Sequence, residues 1–235
     1  MPQVRQLARR IIANAAGLAV VAAVSTVTVA IESSPSYAAG CSGYVALTFD
    51  DGPSASNTLN LLAALKTARV RATLFNIGQN AEQNPELVRA EKAAGMWIGN
   101  HTWTHPDMTT LSTADMISEI AQTQRTIRQL SGTTPRLFRP PYGATNATLQ
   151  SVEARFGLKE ILWDIDSVDW SGVSTEAIVQ AASGLTDGQI ILMHDWPPNT
   201  VAAIPQIVSG LRSRNLCAGM ISPITGRAVA PLARR

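Results

Sequence analysis

The three histidines of this chain lie in two short segments that suit metal binding. His101 and His105 are four residues apart in H-T-W-T-H-P, and His194 follows an apolar run in I-L-M-H-D. Asp50 and Asp51 come directly after another apolar run in T-F-D-D-G-P. Two imidazoles and one carboxylate can bind a divalent ion, which leaves one carboxylate and one imidazole for proton transfer. This set of side chains predicts metal-assisted hydrolysis.

The segment H-T-W-T-H-P is predicted to be a loop that follows a strand. Gly99 and Asn100 precede it, Pro106 follows it, and its two threonines disfavour a helix. Two histidines this close together converge easily on one ion, and either Asp50 or Asp51 can complete a three-ligand site. The alternatives are a solvated or core histidine pair and an ordinary Asp-Gly turn.

The segment L-F-R-P-P-Y-G ends a predicted strand at Arg139 and continues as a rigid turn. An arginine beside carboxylates lowers the pKa of the acid that it touches and fixes its orientation. Tyr142 lies where strand pairing has stopped, so its backbone N–H is available to an oxyanion. A surface turn with a structural arginine is the alternative interpretation.

The segment W-D-I-D-S-V-D-W offers acidic partners for a histidine. An aspartate that accepts a hydrogen bond from a ring nitrogen of His194 keeps the imidazole protonated as a general acid. Asp164, Asp166 and Asp169 all lie in this segment, and the residues alone do not choose among them.

Three further residues are candidates for contact with the substrate, and one neighbouring tryptophan is assigned to the core. Trp170 lies beyond the predicted strand and suits a cleft wall, whereas Trp163 lies within the strand and suits the core. Leu192 points to the same side as His194 by the two-residue period of a strand and can line a small apolar pocket. Trp103, between the two histidines, is a further candidate for substrate contact.

Apolar runs alternate with amphipathic segments along most of the chain. The predicted strands are Tyr44–Phe49, Arg71–Phe75, Met96–Gly99, Leu137–Arg139, Glu160–Ile165, Gln189–Met193 and Leu216–Ile221. The predicted helices are Ser56–Lys66, Pro85–Gly95, Ser112–Gly132, Asn146–Phe156, Ser174–Ser183 and Thr200–Arg214. About seven strands with intervening helices predict a parallel sheet. A closed or nearly closed barrel is favoured over an open sheet, because a barrel collects the loops after many different strands at one rim.

The first 38 residues have the pattern of a secretory signal peptide. Three arginines precede an apolar run from Ile11 to Ile31, and Ser36-Tyr37-Ala38 offers a small-x-small cleavage site. An uncleaved membrane anchor is the alternative. Arg9-Arg10 leaves the choice between the general secretory and twin-arginine routes open. The pattern predicts a secreted, extracellular protein without a membrane segment after cleavage.

Residues 39–235 are predicted to form one catalytic domain. The first 38 residues hold three of the 19 basic and one of the 17 acidic residues, so the remainder carries 16 of each. This balance does not indicate nucleic acid or an anionic membrane as a partner, and it suits an uncharged polysaccharide. The two cysteines, Cys41 and Cys217, bracket the domain and are predicted to form a disulfide worth about 3–5 kcal/mol. Two buried free thiols are the alternative.

Taken together, the chemical segments resemble the NodB-type polysaccharide deacetylases of carbohydrate esterase family four over about residues 41–225. The segments that carry the resemblance are T-F-D-D-G-P, H-T-W-T-H, R-P-P-Y-G, D-S-V-D-W and I-L-M-H-D. The resemblance implies an α/β fold, a distorted, partly open (β/α) barrel of about seven parallel strands in a single domain. It also implies one divalent ion, most often zinc, with cobalt as an alternative.

The resemblance also implies a role for each residue of the site. Asp51, His101 and His105 would be the metal ligands, Asp50 would be the general base, and Arg139 would orient that base. The backbone of Tyr142 would donate to the oxyanion, and His194 would be the general acid, with Asp169 behind it. Trp170 and Leu192 would form the walls of the acetyl pocket.

The reaction implied by the resemblance is hydrolytic removal of acetyl groups from a polysaccharide. The segments N-A-T-L and L-C-A-G-M-I-S-P are most similar to secreted bacterial acetylxylan esterases, which predicts O-acetyl groups of xylan as the substrate and a monomeric enzyme. An N-deacetylase acting on chitin oligomers or peptidoglycan is the alternative, and a non-catalytic glycan-binding module is the alternative from another class. The sequence contains no G-x-S-x-G segment, which disfavours a serine esterase.

Overall fold

Strands and helices alternate through residues 40–231, the part of the chain that the computed structural model describes. The strands are β1 Gly43–Gly52, β2 Thr73–Asn76, β3 Trp97–Asn100, β4 Leu137–Phe138, β5 Lys159–Glu160, β6 Ile165–Asp166, β7 Ile190–His194, β8 Leu216–Ala218, β9 Met220–Ile221 and β10 Ala228–Val229. The helices are α1 Thr58–Ala68, α2 Gly78–Gln83, α3 Pro85–Ala93, α4 Thr113–Ser131, α5 Ala147–Arg155, α6 Thr175–Ser183 and α7 Pro198–Ser213. The predicted signal peptide lies outside the described residues.

Seven strands form a curled parallel sheet in the order β5-β4-β3-β2-β1-β7-β6, and β8 pairs with the start of β1. The predicted distorted, partly open barrel of about seven parallel strands is therefore confirmed. Strands β5 and β6 lie at opposite edges of the sheet, and residues 161–164 connect them.

The prediction of one strand over Glu160–Ile165 is wrong. The chain leaves the sheet after Glu160 and rejoins it at Ile165 on the other edge. The carbonyl oxygens of Ile161 and Leu162 accept hydrogen bonds from the side chain of Arg139, at 3.3 and 3.2 Å. These groups bind a guanidinium, so the apolar run that favoured a strand does not continue as one.

The two faces of β1 have different surroundings. Val45, Leu47 and Phe49 belong to a large apolar cluster that includes residues of α1, α6 and α7. The alternate residues, Thr48 and Asp50, therefore lie on the opposite face of the strand, inside the curl of the sheet. This alternation places a buried carboxylate at the carboxyl end of the central strand.

Strand β1 extends to Gly52, three residues beyond its predicted end at Phe49. The pairing with β2 shifts register between Asp50 and Gly52, and Asp51 adopts a φ of 69°. The predicted strand stopped before the two aspartates, but they belong to the strand because pairing with β2 and β7 uses the backbone and tolerates polar side chains. The irregularity at Asp51 turns its side chain away from the direction that strict alternation would give.

Side-chain caps begin three helices where the sequence predicted helix starts. The capping oxygens of Ser112, Asn146 and Ser174 accept hydrogen bonds from the backbone N–H groups of Asp115, Leu149 and Ala177. Helix α4 ends at Gly132, whose φ of 70° is the left-handed conformation that glycine adopts most readily. The short helix α2 is absent from the sequence predictions.

Cys41 and Cys217 form a disulfide, and Tyr44 of β1 pairs with Cys217 of β8. The bond joins the start of the first strand to a late strand, as the sequence predicted. Within residues 40–231, none of the helices has the length and apolar character needed to cross a bilayer.

Candidate active site

The carboxyl ends of neighbouring parallel strands bring the chemical side chains to one rim of the sheet. Asp50 of β1 pairs in register with His194 of β7, so these two residues start adjacent to each other. His101 follows the last residue of β3, and its N–H donates to the carbonyl of Asn76 at the end of β2. This loop conformation after a strand agrees with the sequence prediction for H-T-W-T-H-P.

Asp51, His101 and His105 lie close together at this rim. Oδ1 of Asp51 lies 3.4 Å from Nε2 of His101 and 3.3 Å from Nε2 of His105. One potential ligand atom from each residue lies within 4.8 Å of the others. Two imidazole nitrogens and one carboxylate oxygen are the donor set of many three-ligand zinc sites. The three residues therefore form a possible metal site.

Two observations test whether this group fits a metal. The Oδ1 atom of Asp51 is buried and has no hydrogen-bond partner among the described residues, which is costly for an anionic oxygen without a cation. The Nδ1 atom of His101 lies 2.7 Å from the carbonyl oxygen of Arg139, and this contact directs Nε2 toward Asp51. Metal-binding histidines usually have such a partner on the second ring nitrogen. The donor set fits a divalent ion.

The charge states in this group also suit ligation. Burial raises the pKa of Asp51, but the interactions with His101, His105 and His194 outweigh burial and lower the pKa to about 2. Burial lowers the pKa of His105, and the neighbouring His101 lowers it further. An ionised carboxylate and a neutral imidazole are the forms that bind metals.

Asp50 and Arg139 form a buried ion pair beside the metal site. Nη1 of Arg139 donates to Oδ1 of Asp50 at 2.7 Å and to Oγ1 of Thr48 at 2.8 Å. Arg139 is fully buried, and its guanidinium lies 4.3 Å from the ring centre of Phe75. Oδ2 of Asp50 lies 3.7 Å from Nε2 of His101. One oxygen of Asp50 is therefore held by the arginine, while the other faces the metal site.

His194 lies close to Asp51 and is held by Asp169. Nδ1 of His194 is 2.7 Å from Oδ1 of Asp169, and Oδ2 of Asp169 accepts from the N–H of His194 and from the hydroxyl of Thr200. Nε2 of His194 lies 3.8 Å from Oδ2 of Asp51. Burial lowers the pKa of His194, but Asp169 raises it, and the net result is a raised pKa.

The other two aspartates of W-D-I-D-S-V-D-W lie elsewhere. Oδ2 of Asp164 accepts from the N–H of Ile190, and Oδ1 of Asp166 accepts from the N–H of Val168. Both bonds hold the backbone around β6 and β7. Of the three aspartates that the sequence left open, Asp169 is the one that contacts His194.

The other predicted site residues are Tyr142, Trp170, Leu192 and Trp103, and they differ in exposure and in what they contact. Tyr142 adopts a φ of 60° in the turn after β4, and its ring packs edge-on against His105 at a centroid distance of 4.8 Å. Trp170 is 54% exposed, directly after Asp169, whereas Leu192 is buried in β7. The indole of Trp103 packs against Gly78. This contact indicates packing for Trp103, and its substrate contact stays an untested prediction.

A cleft of about 390 Å³ opens beside the metal site, lined by Asp51, His105, Ser54, Asn80, Asn84 and Trp196. Trp196 is 40% exposed, and its ring centre lies 5.8 Å from that of His194. Trp196 is not among the site residues predicted from the sequence. Its position two residues after His194, at the end of a buried strand, is the signal that points to it.

A chain of buried polar groups supports the strand ends beneath the site. Oε2 of Glu91 accepts from the side-chain amide of Asn76 at 2.7 Å, and the backbone carbonyl of Asn76 accepts from the N–H of His101. Burial raises the pKa of Glu91 to about 8; the hydrogen bond from Asn76 opposes this, and the charge of Asp195 adds to it. Burial likewise raises the pKa of Asp195 to about 6.

We expect Glu91→Gln to stabilise the protein at alkaline pH. Folded Glu91 keeps its proton up to about pH 8, whereas the unfolded side chain loses it near the ordinary value of 4.5. Because the folded state binds more protons between these values, stability falls as pH rises, by about 1.4 kcal/mol per pH unit at most. Glutamine carries no such proton, so urea unfolding should show the variant more stable than the wild type at pH 8 and similar at pH 4.

Glu86→Gln is the matched control, because Glu86 is exposed in the same helix. This control should keep the pH dependence of the wild type. The same dependence in Glu91→Gln would mean that Glu91 ionises normally in the folded protein.

Comparison with known proteins assigns the chain to a family. The profile of the polysaccharide deacetylase family matches residues 38–161, which is more than half of the chain. This chain belongs to the polysaccharide deacetylase family. A family 4 carbohydrate esterase from Streptomyces lividans, solved in complex with acetate, superposes with a TM-score of 0.80 and 63% identity, over 81% of this chain and 99% of that chain.

Two curated relatives act on different glycans according to their names. A bifunctional xylanase/xylan deacetylase from Cellvibrio japonicus is 45% identical over 193 residues, covering 81% of this chain and 29% of that protein. A peptidoglycan-N-acetylglucosamine deacetylase from Listeria monocytogenes is 40% identical over 174 residues, covering 72% of this chain and 36% of that protein. The chain thus spans about a third of the length of these two polysaccharide deacetylases.

Proposed function

We propose that this polysaccharide deacetylase family member removes O-acetyl groups from xylan by metal-dependent hydrolysis. The observation that carries the proposal is the arrangement around Asp51. Its Oδ1 lies within 3.4 Å of two imidazole nitrogens. Oδ2 of Asp50, whose other oxygen is held by Arg139, lies 3.7 Å from Nε2 of His101, and Nε2 of His194 lies 3.8 Å from Oδ2 of Asp51. A base, a metal site and an acid therefore lie next to one another.

Asp51, His101 and His105 would hold the ion. Zinc suits two nitrogen donors and one oxygen donor, and cobalt is an alternative. Such an ion, when bound, supplies Lewis-acid polarisation of the acetyl carbonyl and lowers the pKa of water. The protein's part is to keep the two imidazoles oriented, which the carbonyl of Arg139 does for His101.

Asp50 acts as the general base in this proposal. Arg139 holds Oδ1 of Asp50 at 2.7 Å, so Oδ2 receives the proton of the attacking water as its oxygen bonds to the acetyl carbon. The backbone N–H of Tyr142 donates to the oxyanion that forms. The other hydrogen bonds of that turn are donated by Gly143 and Ala144, which leaves the Tyr142 N–H for this purpose.

His194 acts as the general acid. The contact between Nδ1 and Asp169 holds the ring, so that Nε2 carries the proton toward the leaving group. Nε2 gives this proton to the sugar oxygen as the bond between that oxygen and the acetyl carbon breaks. The products are acetate and a free sugar hydroxyl. The raised pKa of His194 favours the protonated form that this step needs.

The surface around the site supports a glycan substrate. Tyr142, Trp170 and Trp196 expose between 40% and 70% of their surface, and each lies beside a residue of the site. Flat aromatic side chains with a polar tip suit the apolar faces and hydroxyl groups of sugars. The cleft adds the hydroxyl of Ser54 and the carboxamides of Asn80 and Asn84.

The relatives support deacetylation, and their names indicate two kinds of leaving group, a sugar oxygen and a sugar nitrogen. The Cellvibrio protein is named as a xylan deacetylase and is 45% identical, which favours an O-acetyl substrate. The Listeria protein is named as a peptidoglycan N-acetylglucosamine deacetylase and is 40% identical, which makes N-deacetylation the second candidate. The complete set of base, acid and metal-site residues disfavours a non-catalytic glycan-binding module.

We also propose that the protein is exported as a monomer; its disulfide supports export.

Acetate release from a panel of substrates tests the proposed function. Acetylated xylan, N-acetylglucosamine oligomers and peptidoglycan are incubated with the full chain as prepared, after chelation, and after chelation followed by zinc or cobalt. We expect release from acetylated xylan that the chelator abolishes and a metal restores. Release from the N-acetyl substrates alone would favour the second candidate, and release from none would favour the binding module.

A further inference from the structure

Glu119 of α4 binds the loop that carries both histidines of the metal site. Its Oε2 accepts from the backbone N–H groups of Trp103 and Thr104, at 2.7 and 2.8 Å. Its Oε1 accepts from the hydroxyl of Thr104 at 2.8 Å. One carboxylate therefore holds two of the three residues between His101 and His105. Hydrogen bonds to a charged acceptor are among the stronger ones in proteins.

Helix α2 also holds this loop. The N–H groups of Gly78 and Gln79 donate to the carbonyl oxygens of Thr102 and Trp103, at 2.8 and 3.1 Å. A Cβ atom at Gly78 would lie 2.4 Å from the indole of Trp103, so only glycine permits this close approach. The loop is thus bound both by amide donors of α2 and by the carboxylate of Glu119.

The loop needs such support because its backbone is strained. Thr102 and His105 have φ values of 67° and 62°, in the left-handed region that non-glycine residues rarely occupy. Threonine is β-branched, which makes this conformation particularly unfavourable for it. Strained conformations persist only where the surrounding contacts enforce them. In this loop they turn both imidazoles toward Asp51.

We propose that Glu119 is a positioning residue for the metal site. Its carboxylate holds the 101–105 loop in the strained conformation in which the two imidazole nitrogens converge, before any ion binds. This inference rests on the proposed function, because it takes Asp51, His101 and His105 as the ligands. Glu119 itself contacts backbone and hydroxyl groups of the loop, so its effect on the metal is exerted through them.

Zinc affinity of the metal-free full chain tests this role, measured by competition with a chromophoric chelator. We expect Glu119→Ala to weaken zinc binding about 10–100-fold, as loss of groups that orient metal ligands typically does. Glu119→Gln should keep most of the wild-type zinc affinity, because its amide oxygen can still accept from both backbone N–H groups. Ser118→Ala is the matched control, since its side chain contacts Gln122 on the exposed side of the same helix.

Amide hydrogen exchange of the metal-free protein provides a readout that does not involve the ion. We expect the N–H groups of Trp103 and Thr104 to lose protection in Glu119→Ala, while the unfolding midpoint stays close to that of Ser118→Ala. Zinc affinity of Glu119→Ala equal to that of the wild type would overturn the inference and leave the proposed function intact. A wild-type protein that does not bind zinc or cobalt would overturn both.

Discussion

Replacing Asp50 with asparagine is expected to lower kcat for acetate release about 10²–10⁴-fold, the usual contribution of a positioned general base. A carboxamide cannot accept the proton of water, but its oxygen can still accept the hydrogen bond from Arg139. Asp51, His101 and His105 are unchanged, so zinc affinity should stay within a few-fold of the wild type. The measurement is kcat on acetylated xylan with zinc at saturation, together with zinc affinity by chelator competition.

Asp115→Asn is the control for Asp50→Asn, because Asp115 is an exposed aspartate at the start of α4. It should keep wild-type kcat. Asp50→Asn removes the negative charge beside a buried arginine, so its unfolding midpoint must be measured and the assay run well below it. A folded, zinc-loaded Asp50→Asn enzyme with near-normal kcat would show that Asp50 is not the base.

Replacing Arg139 with methionine is expected to destabilise the protein by about 3–5 kcal/mol, because it leaves Asp50 as an unpaired buried charge. The substitution also removes the hydrogen bonds to Thr48 and to the carbonyl groups of Ile161 and Leu162. At about 2–4 °C per kcal/mol for a domain of this size, the unfolding midpoint should fall by about 10 °C. Urea unfolding and thermal scans measure both quantities.

The control for Arg139→Met is Arg136→Met, at an exposed arginine three residues earlier. It should change stability by less than about 0.5 kcal/mol, as exposed substitutions usually do. The double variant Asp50→Leu/Arg139→Met removes both buried charges and should recover part of the lost stability without recovering activity. A loss below 1 kcal/mol in Arg139→Met would contradict the role of Arg139 as a buried structural cation.

The alternation of strands and helices was predictable because apolar periodicity and capping residues act locally. Ser112, Asn146 and Ser174 begin their helices as predicted. The errors arose where pairing across the sheet decides the backbone. The end of β1 depends on its neighbouring strands, and the carbonyl groups of Ile161 and Leu162, where the chain leaves the sheet, bind a distant arginine. Helix α2 has only six residues, too few for a clear period.

The residue types of the site were predictable, but their individual geometry was not. Asp50 and Asp51 are adjacent and chemically identical, and only the irregularity in β1 separates the one beside Arg139 from the one between two histidines. The resemblance assigned the roles that this geometry suits, and those roles stay predictions. Glu119 was missed because its partners are backbone groups, although its position three residues after Met116 placed it near the buried face of α4.

The incomplete closure of the sheet has a consequence for the interpretation of variants at Arg139. The segment that bridges the two outer strands is bound by the same guanidinium that orients the proposed base. Any substitution of Arg139 would therefore disturb the bridge between the outer strands and the orientation of Asp50 at the same time. Loss of activity in an Arg139 variant therefore does not by itself identify Asp50 as the base.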